Sequence, residues 1–224
     1  MNLLSRVYRS SIGKKYIMAV TGFVLFLFVV GHMLGNLQVY LGPEPMNAYA
    51  AFLKSKPTLL WAVRAGLLLV ALLHITSAVQ LAAENRNARP ERYAEGRPIA
   101  SFASRTILVS GLIVFAFVIY HLMHFTFGVT NPEFMQLEDS NSQHDVYRMV
   151  VLGFSNGWVS SFYLISMGLL CLHLSHGLSS MFQSLGIRSN ANLRLVTGFA
   201  RVSALIIFIG NCSIPISILA GVVN

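Results

Sequence analysis

The stretch Lys14-Lys15-Tyr16-Ile17-Met18-Ala19-Val20-Thr21-Gly22-Phe23-Val24-Leu25-Phe26-Leu27-Phe28-Val29-Val30-Gly31-His32-Met33-Leu34-Gly35-Asn36-Leu37 decides the fold. Behind its two lysines it carries no further charge, and as a helix rising about 1.5 Å per residue it crosses a hydrocarbon core about 30 Å thick. Arg6, Arg9, Lys14 and Lys15 precede it, an arrangement that a signal peptide shares. The run is too long for a secretory h-region and has no small-x-small cleavage site before the next polar stretch, so it reads as a retained first span.

Working outward, four more apolar runs follow. The first span, about Tyr16 to Tyr40, stops before Gly42-Pro43-Glu44-Pro45, whose prolines remove backbone donors. The second runs from about Thr58 to Ala83, and the loop Glu84 to Ser104 after it carries Arg86, Arg89, Arg92 and Arg97 and reads as polar and solvated. The third runs from about Arg105 to Gly128, the fourth from Trp158 to Phe182 with Gly186 ending it, and the fifth from Arg201 to Val223 with a kink expected at Pro215. With 224 residues, 55% hydrophobic and 11% charged, and a mean hydropathy of +0.64, the chain is too apolar to cover a globular surface with charge. The expectation is an all-α integral membrane protein forming one membrane domain over residues 1–224. No loop is long enough for a catalytic domain, so any chemistry sits among the helices or on another polypeptide.

Charge and cysteine narrow the function classes. Five spans put the termini on opposite sides. With the N-terminus inside, Arg6, Arg9, Lys14, Lys15, Arg86, Arg89, Arg92, Arg97, Arg105, Arg188, Arg194 and Arg201 lie on or beside the inner face, against Lys54, Lys56, Arg64 and Arg148 outside. That bias orients the bundle and turns the +8 net charge into topology and membrane-lipid attraction rather than nucleic-acid binding. Cys171 and Cys212 sit in apolar runs, and no Cys-x-x-Cys or Cys-x-x-Cys-His occurs, which argues against a disulfide framework, a zinc ribbon and covalent c-type haem.

Six of the seven histidines fall within the spans: His32, His74, His121, His124, His173 and His176. A lone histidine at membrane depth most often makes an interhelical hydrogen bond or lines a wet cavity. The sharper reading is ligation of a metal or haem iron through Nε2, with Nδ1–H held by a backbone carbonyl one turn earlier or by a hydroxyl. Depth discriminates between rings. His32 lies 16 residues from Tyr16 and His121 lies 16 from Arg105, so both stand about 24 Å from the inner surface. His74 is 16 residues from Thr58 and His173 is 15 from Trp158, so this pair stands about 24 Å from the outer surface. Two level pairs separated by about 12 Å in depth suit two stacked macrocycles inside a four-helix core, with the fifth helix packed outside. His124 and His176 break the level match, and by sharing a helical face with His121 and His173 they fit contacts to a haem edge or propionate. Gly31, Gly35, Gly111 and Gly177 allow close approach of either a flat porphyrin or a neighbouring helix, and the sequence leaves both readings open.

These residues carry a resemblance. Gly31-His32-Met33-Leu34-Gly35-Asn36-Leu37-Gln38-Val39-Tyr40-Leu41-Gly42-Pro43-Glu44, continuing into Asn47-Ala48-Tyr49-Ala50, resembles the first-helix signature of the five-helix di-haem cytochrome b anchor of succinate:quinone oxidoreductases, the succinate dehydrogenases and fumarate reductases. His173-Leu174-Ser175-His176-Gly177-Leu178-Ser179-Ser180-Met181-Phe182-Gln183-Ser184-Leu185-Gly186 is similar to that family's His-Leu-x-His-Gly-x-x-Ser-x-Phe-Gln-Ser-Leu-Gly segment. The resemblance implies the non-succinate-binding membrane subunit of an enzyme. It further implies a flavoprotein and an iron–sulfur subunit on the cytoplasmic face, a bacterial or archaeal cytoplasmic membrane, two b haems and a quinone, for which menaquinone is usual in this type. It carries ligand roles onto His32 and His121 for the distal haem and onto His74 and His173 for the proximal one. One departure stands out: where some relatives place an acidic residue near the outer start of the second helix, this chain reads Lys54-Ser55-Lys56. Glu44 is the nearest carboxylate and reads as a solvated loop residue, and Arg64 suits either a distal propionate or an interface anchor. Two rival readings remain, a haem-free transporter whose histidines relay protons and a cytochrome b anchor of another oxidoreductase such as a hydrogenase or formate dehydrogenase.

Overall fold

The computed structural model describes residues 8, 10–88 and 107–224. In chain order the long elements are α1 (Ser11–Asn36), a 3-10 turn (Leu37–Leu41), α2 (Pro43–Lys54), α3 (Pro57–Asn87), α4 (Ile107–His121) running into a π turn (Leu122–Thr126), a 3-10 turn (Pro132–Gln136), α5 (Val146–Ser155), α6 (Gly157–Ser184) and α7 (Leu193–Leu219). Among the described residues there is no strand, and a single bridge joins Glu138 to His144. Among the described residues five helices are long and apolar enough to cross a membrane. The protein is an all-α, multi-pass membrane protein.

Local chemistry sets the helix ends, and several lie outside the apolar runs. The Ser10 hydroxyl accepts from the Gly13 amide at 2.9 Å, an N-cap that starts α1 five residues before Tyr16. Gly42, at φ +98°, turns the chain after the 3-10 segment, and Pro43 then occupies the first turn of α2, where its missing N–H costs nothing. The same prolines that end one helix therefore begin another, and α2 was not expected from the sequence. Neither was α5, whose N-cap Asp145 accepts from the Arg148 amide at 2.9 Å. Asn156 accepts from the amides of Trp158 and Val159 to start α6. At its end, Gly186 adopts φ +74° while the Ile187 amide returns to the Phe182 carbonyl. α3 continues to Asn87, so the start of the expected Glu84–Ser104 loop is helical. Arg89, Arg92, Arg97 and Arg105 lie outside the described residues. α7 begins at Leu193 rather than Arg201 and runs through Pro215.

The chain groups into two compact units, one of 1–28, 64–111 and 172–204, the other of 29–63, 112–171 and 205–224. In the first, Lys14 is buried and forms an ion pair with Glu84, which also accepts from the Ser11 hydroxyl at 2.9 Å. The second holds the main hydrophobic cluster, with Val39, Met46, Phe117, Phe154, Tyr163 and Ile218 among its members. Buried Asn47 of α2 locks α5 in place: its amide donates to Asp145 at 3.0 Å and its carbonyl accepts from the Tyr147 amide at 3.0 Å. Met33 of α1 packs against Gly210 of α7, where any Cβ would lie 2.5 Å from its sulfur.

Candidate functional site

Within the second unit, His32 of α1 and His121 at the end of α4 come together with ring centroids 5.7 Å apart and planes at 85°. Sequence spacing put both at one height, and the structure makes them neighbours. His32 keeps an exposed surface, and a Cβ added to the adjacent Gly31 would meet open space, so there is room beside the pair. On the other side the space is filled. His121 Nδ1 lies 3.4 Å from the Tyr163 hydroxyl, whose oxygen lies 3.0 Å from His124 Nδ1. His124 sits on the π turn, is almost wholly buried, and is enclosed by Tyr120, Phe125, Phe134 and Tyr163. Its ring is committed to this aromatic cage. Helices carry such π turns often at functional positions, because the extra residue redirects the side chains that follow.

The first unit holds His74 of α3 and His173 of α6. Each rests on a hydroxyl-glycine step of another helix. His74 Nδ1 lies 3.2 Å from Thr21 Oγ1, and a Cβ on Gly22 would stand 3.1 Å from His74 Cε1. His173 Nδ1 lies 3.3 Å from Ser110 Oγ, and a Cβ on Gly111 would stand 3.3 Å from His173 Cε1. The Thr21 hydroxyl donates to the Ile17 carbonyl at 2.6 Å, and the Ser110 hydroxyl donates to the Ile107 carbonyl at 3.0 Å. Each hydroxyl thus stands between a carbonyl of its own helix and an imidazole Nδ1 of another helix.

The remaining sequence candidates resolve individually. His176 Nε2 lies 3.0 Å from Ser180 Oγ on the next turn of its own helix. Gly35 seats the Tyr49 ring of α2, with a Cβ contact of 3.1 Å, while Gly177 borders open space. Glu44 is exposed in the first turn of α2, and Arg64 is exposed on α3. Outside the spans, both ring nitrogens of His144 are buried without a hydrogen-bond partner among the described residues, and burial first, then nearby Lys54, lowers its pKa. Thr21, Gly22, Ser110 and Tyr163 were not singled out from the sequence as functional residues.

The donor set limits what this arrangement can hold. Among the described residues no three of His, Cys, Asp and Glu converge on one point. A bare ion needing an all-protein shell is poorly served, whereas paired imidazoles suit a metal that brings its other ligands with it. His32 and His121 bring two such imidazoles together from separate helices, with ring centroids 5.7 Å apart. Fold and site together define a multi-pass helical membrane protein in which His32 and His121, from separate helices, are neighbours. Comparison of the chain with protein families, with curated proteins and with solved structures finds no match.

Proposed function

We propose that this chain is the di-haem cytochrome b membrane anchor of a succinate:quinone oxidoreductase, carrying electrons between an iron–sulfur subunit and a quinone. The observation that carries the reading is the meeting of His32 and His121, from separate membrane helices, at 5.7 Å with open room beside Gly31. His32 and His121 would hold one haem, and His74 and His173 the other. When bound, haem supplies a reversible one-electron couple inside the membrane. This chain's residues present imidazole nitrogens, fix the rings from behind through Thr21, Ser110 and Tyr163, and exclude water with the aromatic cage around His124. The long motifs around His32 and His173 support the choice of family. In this reading the flavoprotein and iron–sulfur partners dock on a cytoplasmic face enriched in arginine and lysine, the N-terminus lies on that face of a bacterial or archaeal membrane, and the quinone is menaquinone.

The test is a reduced-minus-oxidised optical spectrum of the purified chain, followed by addition of succinate to the complex it purifies with. Two b-type bands reducible by succinate are expected. His32→Ala or His121→Ala removes one band, and His74→Ala or His173→Ala removes the other. A spectrum without haem bands overturns the reading in favour of a histidine proton relay, and haem that succinate does not reduce transfers the anchor to another oxidoreductase.

A further inference from the structure

Two segments of this chain match one another at an offset the histidine pairing does not require. On α1, Thr21-Gly22-Phe23-Val24-Leu25-Phe26-Leu27-Phe28-Val29-Val30-Gly31-His32 aligns without gaps with Ser110-Gly111-Leu112-Ile113-Val114-Phe115-Ala116-Phe117-Val118-Ile119-Tyr120-His121 on α4. Both begin with a hydroxyl and a glycine, carry phenylalanine at the same two positions and valine next, and close on histidine. The helices that follow share a shorter match, Leu73-His74-Ile75-Thr76 on α3 and Leu172-His173-Leu174-Ser175 on α6. The chain thus contains two copies of one helical hairpin.

The copies agree in side-chain geometry as well as in sequence. In each, the hydroxyl-glycine step of the first helix receives the histidine of the second, at 3.2 Å for Thr21 and His74 and 3.3 Å for Ser110 and His173. In each, the hydroxyl proton goes to a carbonyl of its own helix. An oxygen whose proton is already given to a carbonyl only accepts, so the facing Nδ1 carries hydrogen. Recurrence at two independent sites makes an accident of packing a poor account.

We propose that Thr21 and Ser110 are positioning residues that lock His74 and His173 in the Nδ1–H tautomer and thereby present Nε2 of each as a lone-pair donor toward a shared ligand. What Nε2 binds rests on the haem reading above; the tautomer lock does not. Gly22 and Gly111 are the other half of the device, because Cε1 of each ring crowds the space a Cβ would fill.

The full chain, uniformly labelled with 15N-histidine and prepared without cofactor in detergent, tests this by NMR, the His74 and His173 signals being assigned by their loss in His74→Gln and His173→Gln. The wild type is expected to show the Nδ1–H tautomer at both. Thr21→Val moves His74 alone toward a tautomer mixture, Ser110→Ala moves His173 alone, and Thr21→Ser and Ser110→Thr restore the wild-type signals. Unchanged tautomers in Thr21→Val and Ser110→Ala overturn the proposal, and so does a wild type already in the Nε2–H form. On protein purified with haem, the same two substitutions are expected to weaken retention of one haem by roughly 10–100-fold, the usual effect of removing a group that orients a ligand, and to leave the band of the other unmoved. A tautomer shift in a protein that never takes up haem sustains the lock and sinks the haem reading, so the two fail separately.

Discussion

Replacing individual glycines by alanine on these helices should change stability in opposite directions, and the sign is set by what each Cβ meets. Carbon atoms pack best about 3.5–4.0 Å apart. A Cβ on Gly22 would stand 3.1 Å from His74 Cε1, and one on Gly111 would stand 3.3 Å from His173 Cε1, whereas Gly31 and Gly66 open onto free space. Alanine in a helix interior gains about 0.5–1 kcal/mol over glycine. At Gly31 and Gly66 nothing opposes that gain, so Gly31→Ala and Gly66→Ala are expected to stabilise by about that amount. At Gly22 the ring must retreat by at least about 0.4 Å, and the Thr21–His74 contact, already 3.2 Å, then leaves hydrogen-bond range. Crowding costs about 1–3 kcal/mol and the lost bond about 0.5–1.5 kcal/mol, so against a gain of about 0.5–1 kcal/mol Gly22→Ala should be destabilised by about 0.5–4 kcal/mol net. Gly111→Ala, with a smaller shortfall, should fall between the two. Thermal unfolding of the cofactor-free chain in detergent, followed by circular dichroism, gives the order directly. A Gly22→Ala protein as stable as Gly31→Ala would refute the seating of His74 on α1.

Three further outcomes follow from single contacts. Tyr163→Phe keeps the ring packing but strips the partner from buried His124 Nδ1 and should cost about 1–3 kcal/mol in the same unfolding assay; no loss would show that another group satisfies that nitrogen. Glu84→Gln leaves the buried Lys14 ammonium without its counter-ion and should lower the melting temperature more than Lys14→Met, which removes the charge itself; the reverse order would mean that Lys14 is solvated in the membrane-bound protein. His144 is favoured neutral in the folded protein, so the unfolded chain takes up its proton first and the contribution of this residue, complete above about pH 6.5, is lost as the pH falls below that value. His144→Leu should therefore flatten the pH dependence of melting below about pH 6.5 without destabilising at pH 8, and an unchanged pH profile would rule this out.

The spans were legible because length and hydropathy suffice for a membrane helix, and the meeting of His32 and His121 was legible because an imidazole at membrane depth stands out against so apolar a background. Their ends were less so. α1 starts at Ser11 because Ser10 caps it, and Lys14 is tolerated in its first turns by pairing with Glu84, itself inside α3. Neither fact appears in a hydropathy window. α2 was missed because Pro43 was read only as a terminator, although a proline just past a glycine with positive φ is also a good first residue of a helix. α5 was missed because it is short, yet Asp145 before an apolar run was available as a cap signal. The partners behind the histidines, Thr21, Ser110 and Tyr163, lie 53, 63 and 42 positions away from the rings they hold. Only the recurrence of the hydroxyl-glycine step ahead of His32 and His121 could have exposed the first two, and a search for short tandem repeats passes over a match so far apart.

The places where the two hairpins cease to match are as informative as the places where they agree. Gly31 corresponds to Tyr120 and Gly35 to His124, and in the second helices Arg64 stands where Tyr163 stands. In the second copy, Tyr120, His124 and Tyr163 close in behind His121 as a connected set of rings. In the first copy, Gly31 faces open space, and the position of Gly35 is taken up by seating Tyr49. Two identical hairpins meeting isologously would bring equal residues face to face and offer equal space on either side. This chain keeps the equal residues, His32 opposite His121, and spends its divergence on the surroundings. One side is closed by hydrogen-bonded rings, and on the α1 side Gly31 faces open space.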